Sequence, residues 1–101
     1  AAAQAAGNVW IIGVDSDWTL TAPDYSDIIL TSVMKNMGPA VYDVVSGAVE
    51  SEFDVTPYLG TLENEGVGIS DIADGVLDDA VIAEIEEIQN GIIGGSISVT
   101  P

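Results

Sequence analysis

The chain has 101 residues, 48% of them hydrophobic, which is enough for a small core and argues against wholesale disorder. Its 17 acidic side chains face a single basic one, Lys35, for a formal net charge of -16. That balance excludes electrostatic binding of nucleic acid, which needs a Lys/Arg surface, and argues against docking on an anionic membrane face. With no Cys and no His, the chain also lacks disulfides, thiol nucleophiles, zinc-finger sites and Ser-His or Cys-His catalysis.

In chain order, the Ala-rich start, Ala1 to Ala6, reads as the last turns of a helix stopped by Gly7. Val9 to Val14 is a continuous apolar run, the pattern of a strand buried on both faces of a parallel sheet. It ends in Asp15-Ser16-Asp17, at the carboxyl end of the strand, where open α/β sheets bind ligands. Thr19 to Asp27 reads as a polar loop, and Ile28 to Val33 as a short extended piece. The spacing of Ala40, Val41, Val44, Val45, Ala48 and Val49 predicts a helix over Met37 to Glu52.

Phe53 to Pro57 breaks that helix, and Tyr58 to Leu62 reads as a short strand. Glu63 to Gly75 is a Gly-rich acidic connection. A second helix is predicted over Asp78 to Asn90, with Val81, Ile82, Ile85 and Ile88 on one face and Glu84, Glu86 and Glu87 on the other. Asp78 and Asp79 suit the positive end of its dipole, and Gly91 and Gly94-Gly95 end it. The tail from Ser96 to Pro101 alternates weakly, like an edge strand. Alternating strands and helices favour α/β with a mainly parallel sheet. Two full helices cannot cover both faces of such a sheet, so the pattern reads as part of a two-lobed protein.

Few motifs carry chemistry. Asp15-Ser16-Asp17 opens like a calcium loop, but the sixth position is Leu20 instead of Gly and the twelfth is Ser26 instead of Glu. Gly66-Val67-Gly68 lacks the third Gly of a dinucleotide fingerprint and reads as a flexible turn. No pair of carboxylates stands out as catalytic. Lys35 carries two readings: a chance survivor or local salt-bridge partner, or a cation donating hydrogen bonds to a ligand's oxygens.

Four blocks in order, Val9 to Asp17, Leu30 to Asn36, Ala40 to Asp43 and Tyr58 to Gly68, resemble the C-terminal third of the basic membrane protein (BMP) family lipoproteins. These are substrate-binding proteins of ABC transporters, many specific for purine nucleosides. The resemblance implies part of a type I periplasmic-binding-protein fold: two α/β lobes, a hinge and a ligand in the cleft. It places residues 1–29 in the second lobe, 30–57 across the hinge with a first-lobe helix, and 58–101 back in the second lobe. It implies a binding protein and no enzyme, no catalytic residue, no metal and no cofactor. Its implied partners are a nucleoside, an ABC permease and the N-terminal portion of the same protein. The implied location is extracytoplasmic, anchored through a lipoprotein N-terminus absent from this chain. By the resemblance, Asp15 accepts hydrogen bonds from ribose hydroxyls and Lys35 donates to the sugar, with Asp17 and Trp18 at the mouth. A base-stacking role and a structural role stand level for Trp18. The rival reading is a free-standing acidic α/β interaction domain without a small-molecule site.

The near-absence of Lys reads as adaptation to concentrated salt. Repulsion among the 17 carboxylates opposes compaction, and its reach falls from about 30 Å at 0.01 M salt to about 3 Å at 1 M. The thermal midpoint is therefore expected to rise from dilute to molar potassium chloride; equal midpoints would contradict salt adaptation.

Overall fold

The computed structural model describes residues 1–50 and 56–99. The elements run α1 (Ala2–Ala6), β1 (Ile11–Asp15), α2 (Trp18–Thr21), a 3-10 helix (Pro23–Ile28), β2 (Ile29–Lys35), α3 (Met37–Val49), β3 (Val67–Ile69) and α4 (Asp79–Ile93). The three strands form one mixed sheet in the order β1-β2-β3. Strands β1 and β2 pair in parallel, with Gly13 opposite Ser32, Val14 opposite Val33 and Asp15 opposite Met34. Strands β2 and β3 pair antiparallel, with Val33 opposite Ile69 and Lys35 opposite Val67. The chain is α/β, as its alternating pattern predicts.

Local chemistry accounts for most boundaries. Gly7 ends α1 at φ 64, a conformation open to Gly at little cost. Pro39 lies in the first turn of α3, where a missing N–H costs no helical bond. The Asp78 side chain caps α4 by accepting from the Val81 N–H at 3.1 Å, and Asp79 adds negative charge to the first turn. Helix α4 runs through Gly91 and ends at Gly94.

Several expectations are corrected. The stretch from Thr19 to Asp27 is not an open loop. Asp17 caps α2, and Pro23 sits at the start of the 3-10 helix, so the connection is helical for most of its length. Tyr58 to Leu62 forms no strand. The third strand is Val67–Ile69, inside the stretch read as a Gly-rich connection. Gly66-Val67-Gly68 is thus the entry to a strand and not a free turn, and the antiparallel pairing of that strand makes the sheet mixed instead of mainly parallel. Residues 96–99 form no strand. The predicted end of α3 at Ser51 and Glu52, the break at Phe53 to Val55, and Thr100 and Pro101 lie outside the described residues.

Burial departs furthest from expectation. Ile29 and Ser32 are the fully buried side chains among the described residues. One face of β1–β2 is closed: Gly13 lies beneath the Trp18 ring and beside Ser32, so closely that a Cβ on Gly13 would stand 2.4 Å from Ser32 Oγ and 2.6 Å from Trp18 Cγ. The other face is open. Ile12, Val14, Val33 and Ile69 are each about half exposed, so β1 is not buried on both faces. The stripe of α3 is open as well, with Val41, Val44, Val45 and Val49 exposed. The accessible surface is 7531 Å², against about 5400 Å² for a compact chain of this mass. The radius of gyration is 16.9 Å, against about 13 Å for a compact domain of this length.

An apolar surplus of that size attracts further protein. At molar salt, where the charge no longer keeps copies apart, the chain is expected to scatter light at a mass above 10.4 kDa. A strict monomer with a sharp cooperative melt would contradict the open faces.

Candidate functional site

Because β1 and β2 are parallel, their carboxyl ends lie side by side, and each ends on a charged residue. Asp15 closes β1 and Lys35 closes β2. Their side chains meet, Lys35 Nζ to Asp15 Oδ1 at 2.8 Å, a charge-assisted hydrogen bond. The sole basic side chain of the sequence is therefore paired with the carboxylate that sequence pattern placed at the strand end. The pair is solvated, with Lys35 65% and Asp15 67% exposed. One contact leaves two ammonium protons and most of the carboxylate lone pairs open to other partners.

Asp15 takes φ 74, in the left-handed region that non-Gly residues seldom adopt, although Asp tolerates it better than most. The next turn is held by side chains. Asp17 Oδ1 accepts from the Thr19 N–H at 2.9 Å and from the Thr19 hydroxyl at 2.7 Å, so its carboxylate caps α2. The Trp18 backbone N–H donates to Ser32 Oγ at 3.1 Å, and its indole Nε1–H donates to the Val14 carbonyl at 3.1 Å. Asp17 and Trp18 thus supply the bonds that hold the turn after Asp15.

The Lys35 side of the site is fixed by a second loop. Asn36, the next residue, is the first outside β2. Its backbone N–H donates to the Gly66 carbonyl at 3.0 Å and its Nδ2 to the Glu65 carbonyl at 2.7 Å. Asn64 organises the same loop: its Oδ1 accepts from the Thr61 and Gly66 N–H groups at 2.8 and 3.0 Å, and its Nδ2 donates to the Leu59 carbonyl at 2.9 Å. Gly66 must be Gly, because a Cβ there would lie 2.5 Å from Gly60 Cα. Sequence reading passed over Ser32, Asn36 and Asn64. Amide and hydroxyl bonds to backbone leave no periodic signal, although Asn64 in the stretch from Gly60 to Gly66 marks a turn.

Several hollows open near the sheet. A cleft of about 270 Å³ borders Lys35, Asn36, Met37, Tyr58 and Gly66. A larger hollow of about 600 Å³ is apolar, lined by Val33, Leu62, Ile69, Ile92, Ile93 and Val99 among others, and contains none of the expected site residues. Asp17 lines a separate hollow of about 600 Å³ with Ser26 and Asp71, and Trp18 one of about 300 Å³ with Tyr25 and Ile29. Among the described residues, no group of three or more Asp, Glu, His or Cys is placed to hold a metal ion.

The arrangement can grip a neutral polyhydroxyl group. A carboxylate accepts and an ammonium donates, so two adjacent hydroxyls contacting one each are fixed in direction. Asp15 also acts on Lys35. Its hydrogen bond, and then its charge, raise the Lys35 pKa above the ordinary Lys value, with a smaller opposing effect of burial. The raised value means that any stability from the pair is fully present below the ordinary Lys pKa and is lost as pH rises through the folded-state value. Lys35 is the single Lys, so its side-chain signal is unambiguous by NMR. Its titration midpoint is expected above that of a free Lys, and Asp15→Asn is expected to bring it down; an unmoved midpoint would mean that the pair does not persist in solution.

No protein-family model and no characterised protein sequence matches the chain. Its fold does match a solved one, an ABC transporter system solute-binding protein from Aeropyrum pernix K1, with a TM-score of 0.75 at 22% sequence identity. The match covers 99% of this chain and 35% of that one. The chain therefore has the fold of about a third of that protein and spans only that share of its length.

Proposed function

We propose that this chain is the C-terminal portion of an extracytoplasmic solute-binding protein of the BMP family, which delivers a purine nucleoside to an ABC importer. The observation that carries the reading is the ion pair of Asp15 and Lys35 at the adjoining carboxyl ends of two parallel strands. Ligands of open α/β sheets bind at such ends, and the chain keeps its one cation there. The likeness of fold to a solute-binding protein supports the same class. In this reading residues 1–29 belong to the second lobe, 30–57 cross the hinge and add a helix to the first, and 58–101 return. The rest of the protein supplies the opposing wall, the lipoprotein anchor and the residues that read the base. The permease recognises the closed form. Binding is the whole activity: no bond is made or broken, and no cofactor takes part.

Closure follows from contacts to both lobes, since a ligand shifts a conformational equilibrium only by its differential affinity for the two states. The open sheet face and the open α3 stripe call for covering protein, which the other lobe supplies in this reading. They fit a chain packed against further lobes.

The test is isothermal titration of the intact two-lobed protein with adenosine, guanosine and inosine. Lys35→Met keeps most of the bulk and removes the charge and the donors. Stranding ligand oxygens in a closed site is expected to lower affinity by about tenfold to a hundredfold. Asp15→Asn is expected to have a similar or smaller effect. Unchanged affinity in both variants would remove these residues from the site, and no binding of any nucleoside by the unaltered protein would remove the ligand class.

A further inference from the structure

We infer that Trp18 is a positioning residue for this site: its indole N–H, bound to the Val14 carbonyl, holds the left-handed turn at Asp15 and so aims that carboxylate at Lys35. The inference rests on the proposed reading of Asp15 and Lys35 as ligand groups.

The argument begins with the backbone. Asp15 has φ 74 and carries a Cβ, a conformation that costs energy even for Asp unless its surroundings favour it. The Val14 carbonyl and the Asp15 N–H share one rigid peptide plane. The φ of Asp15 is rotation about the bond that leaves this plane, so anchoring the carbonyl fixes the frame from which the carboxylate departs. The anchor is the 3.1 Å bond from Trp18 Nε1.

Trp18 is itself held from two other sides. Its backbone N–H donates to Ser32 Oγ at 3.1 Å, and Ser32 is fully buried on the neighbouring strand. Its ring lies over Gly13, where any Cβ would stand 2.6 Å from Cγ. The two Asp17–Thr19 bonds keep α2 from turning the ring away. The motif is therefore a lever: Ser32 and Gly13 form the seat, Trp18 the arm, and Asp15 the end that meets Lys35.

Trp18→Phe tests the lever, because it keeps an aromatic ring over Gly13 and removes the N–H. In the 101-residue chain at one fixed salt concentration, the Lys35 titration midpoint is read by NMR, with circular dichroism as the check of folding. Trp18→Phe is expected to lower the midpoint toward that of Asp15→Asn, and the double variant to lower it no further, since both act through one carboxylate. In the intact two-lobed protein, Trp18→Phe is expected to weaken inosine binding by about tenfold. A folded Trp18→Phe chain with an unmoved Lys35 midpoint would overturn the positioning role. A lowered midpoint, with inosine affinity unchanged in Trp18→Phe, Asp15→Asn and Lys35→Met alike, would uphold the lever and sink the ligand reading instead. If Trp18→Phe does not fold, β-(3-benzothienyl)alanine at position 18 replaces the N–H by sulfur at nearly constant shape and carries the same expectations.

Discussion

Gly13 presents only hydrogen toward Ser32 and Trp18, and the closed side of the molecule depends on that gap. With no Cβ in the way, Ser32 Oγ comes close enough to receive the Trp18 backbone N–H, and the indole settles against β1. The same approach brings Nε1 to the Val14 carbonyl. From there the effects run outward: α2 is seated, the strand turns left-handed at Asp15, and its carboxylate meets Lys35. A side chain at position 13 would push on Ser32, the one polar side chain that is fully buried among the described residues and has its partners in place. Well-packed sites respond to added volume with strain of about 1–3 kcal/mol.

Sequence pattern reached the parts of the fold whose physics is periodic or compositional. The β-branched run in β1, the apolar stripe of α4 with Asp78 before it, and the Gly stop after α1 each have a local cause that composition displays. Strand β3 has none: Val67-Gly68-Ile69 is three residues long, includes a Gly, and is a strand only because β2 offers it an edge. The 3-10 helix was hidden because Pro23 reads as a breaker, although it can equally begin a turn of helix. At the site, Asp15 and Lys35 were legible for two different reasons, a strand end and a conspicuous lone cation. The bonds that Asp17 and Trp18 make were not legible, because capping and carbonyl clamping use short-range contacts that any Asp or Trp can make.

The composition and the exposed faces bear on one another. Nearly half of the residues are hydrophobic, yet only Ile29 among them is fully buried in the described structure. The apolar row Ile12, Val14, Val33 and Ile69 is continuous across all three strands, as the pairing of Val14 with Val33 and of Val33 with Ile69 requires. Alternation along each strand puts this row on the face opposite Gly13 and Ser32. A sheet with one sealed and one open apolar face is a layer waiting for a second layer, the condition that α/β folds meet with helices on both sides.

The ion pair stands apart from this packing, and its exposure argues about its purpose. Surface pairs contribute little to folding, and salt of the strength that would quiet 17 carboxylates would also screen a solvated pair. Stability therefore gives no reason to keep Lys35 where every other basic residue is gone. The hydrogen bond outlasts the screening, because it is a contact between neighbours and not a long-range field; it is also the larger cause of the raised Lys35 pKa. A donor and an acceptor held 2.8 Å apart, each with valences to spare, become strong only when water is excluded around them. Here both strand ends face solvent. The pair as it stands is the local salt bridge that composition allows for Lys35; under the proposed reading, closing a second wall over it would turn a weak surface pair into a directional grip.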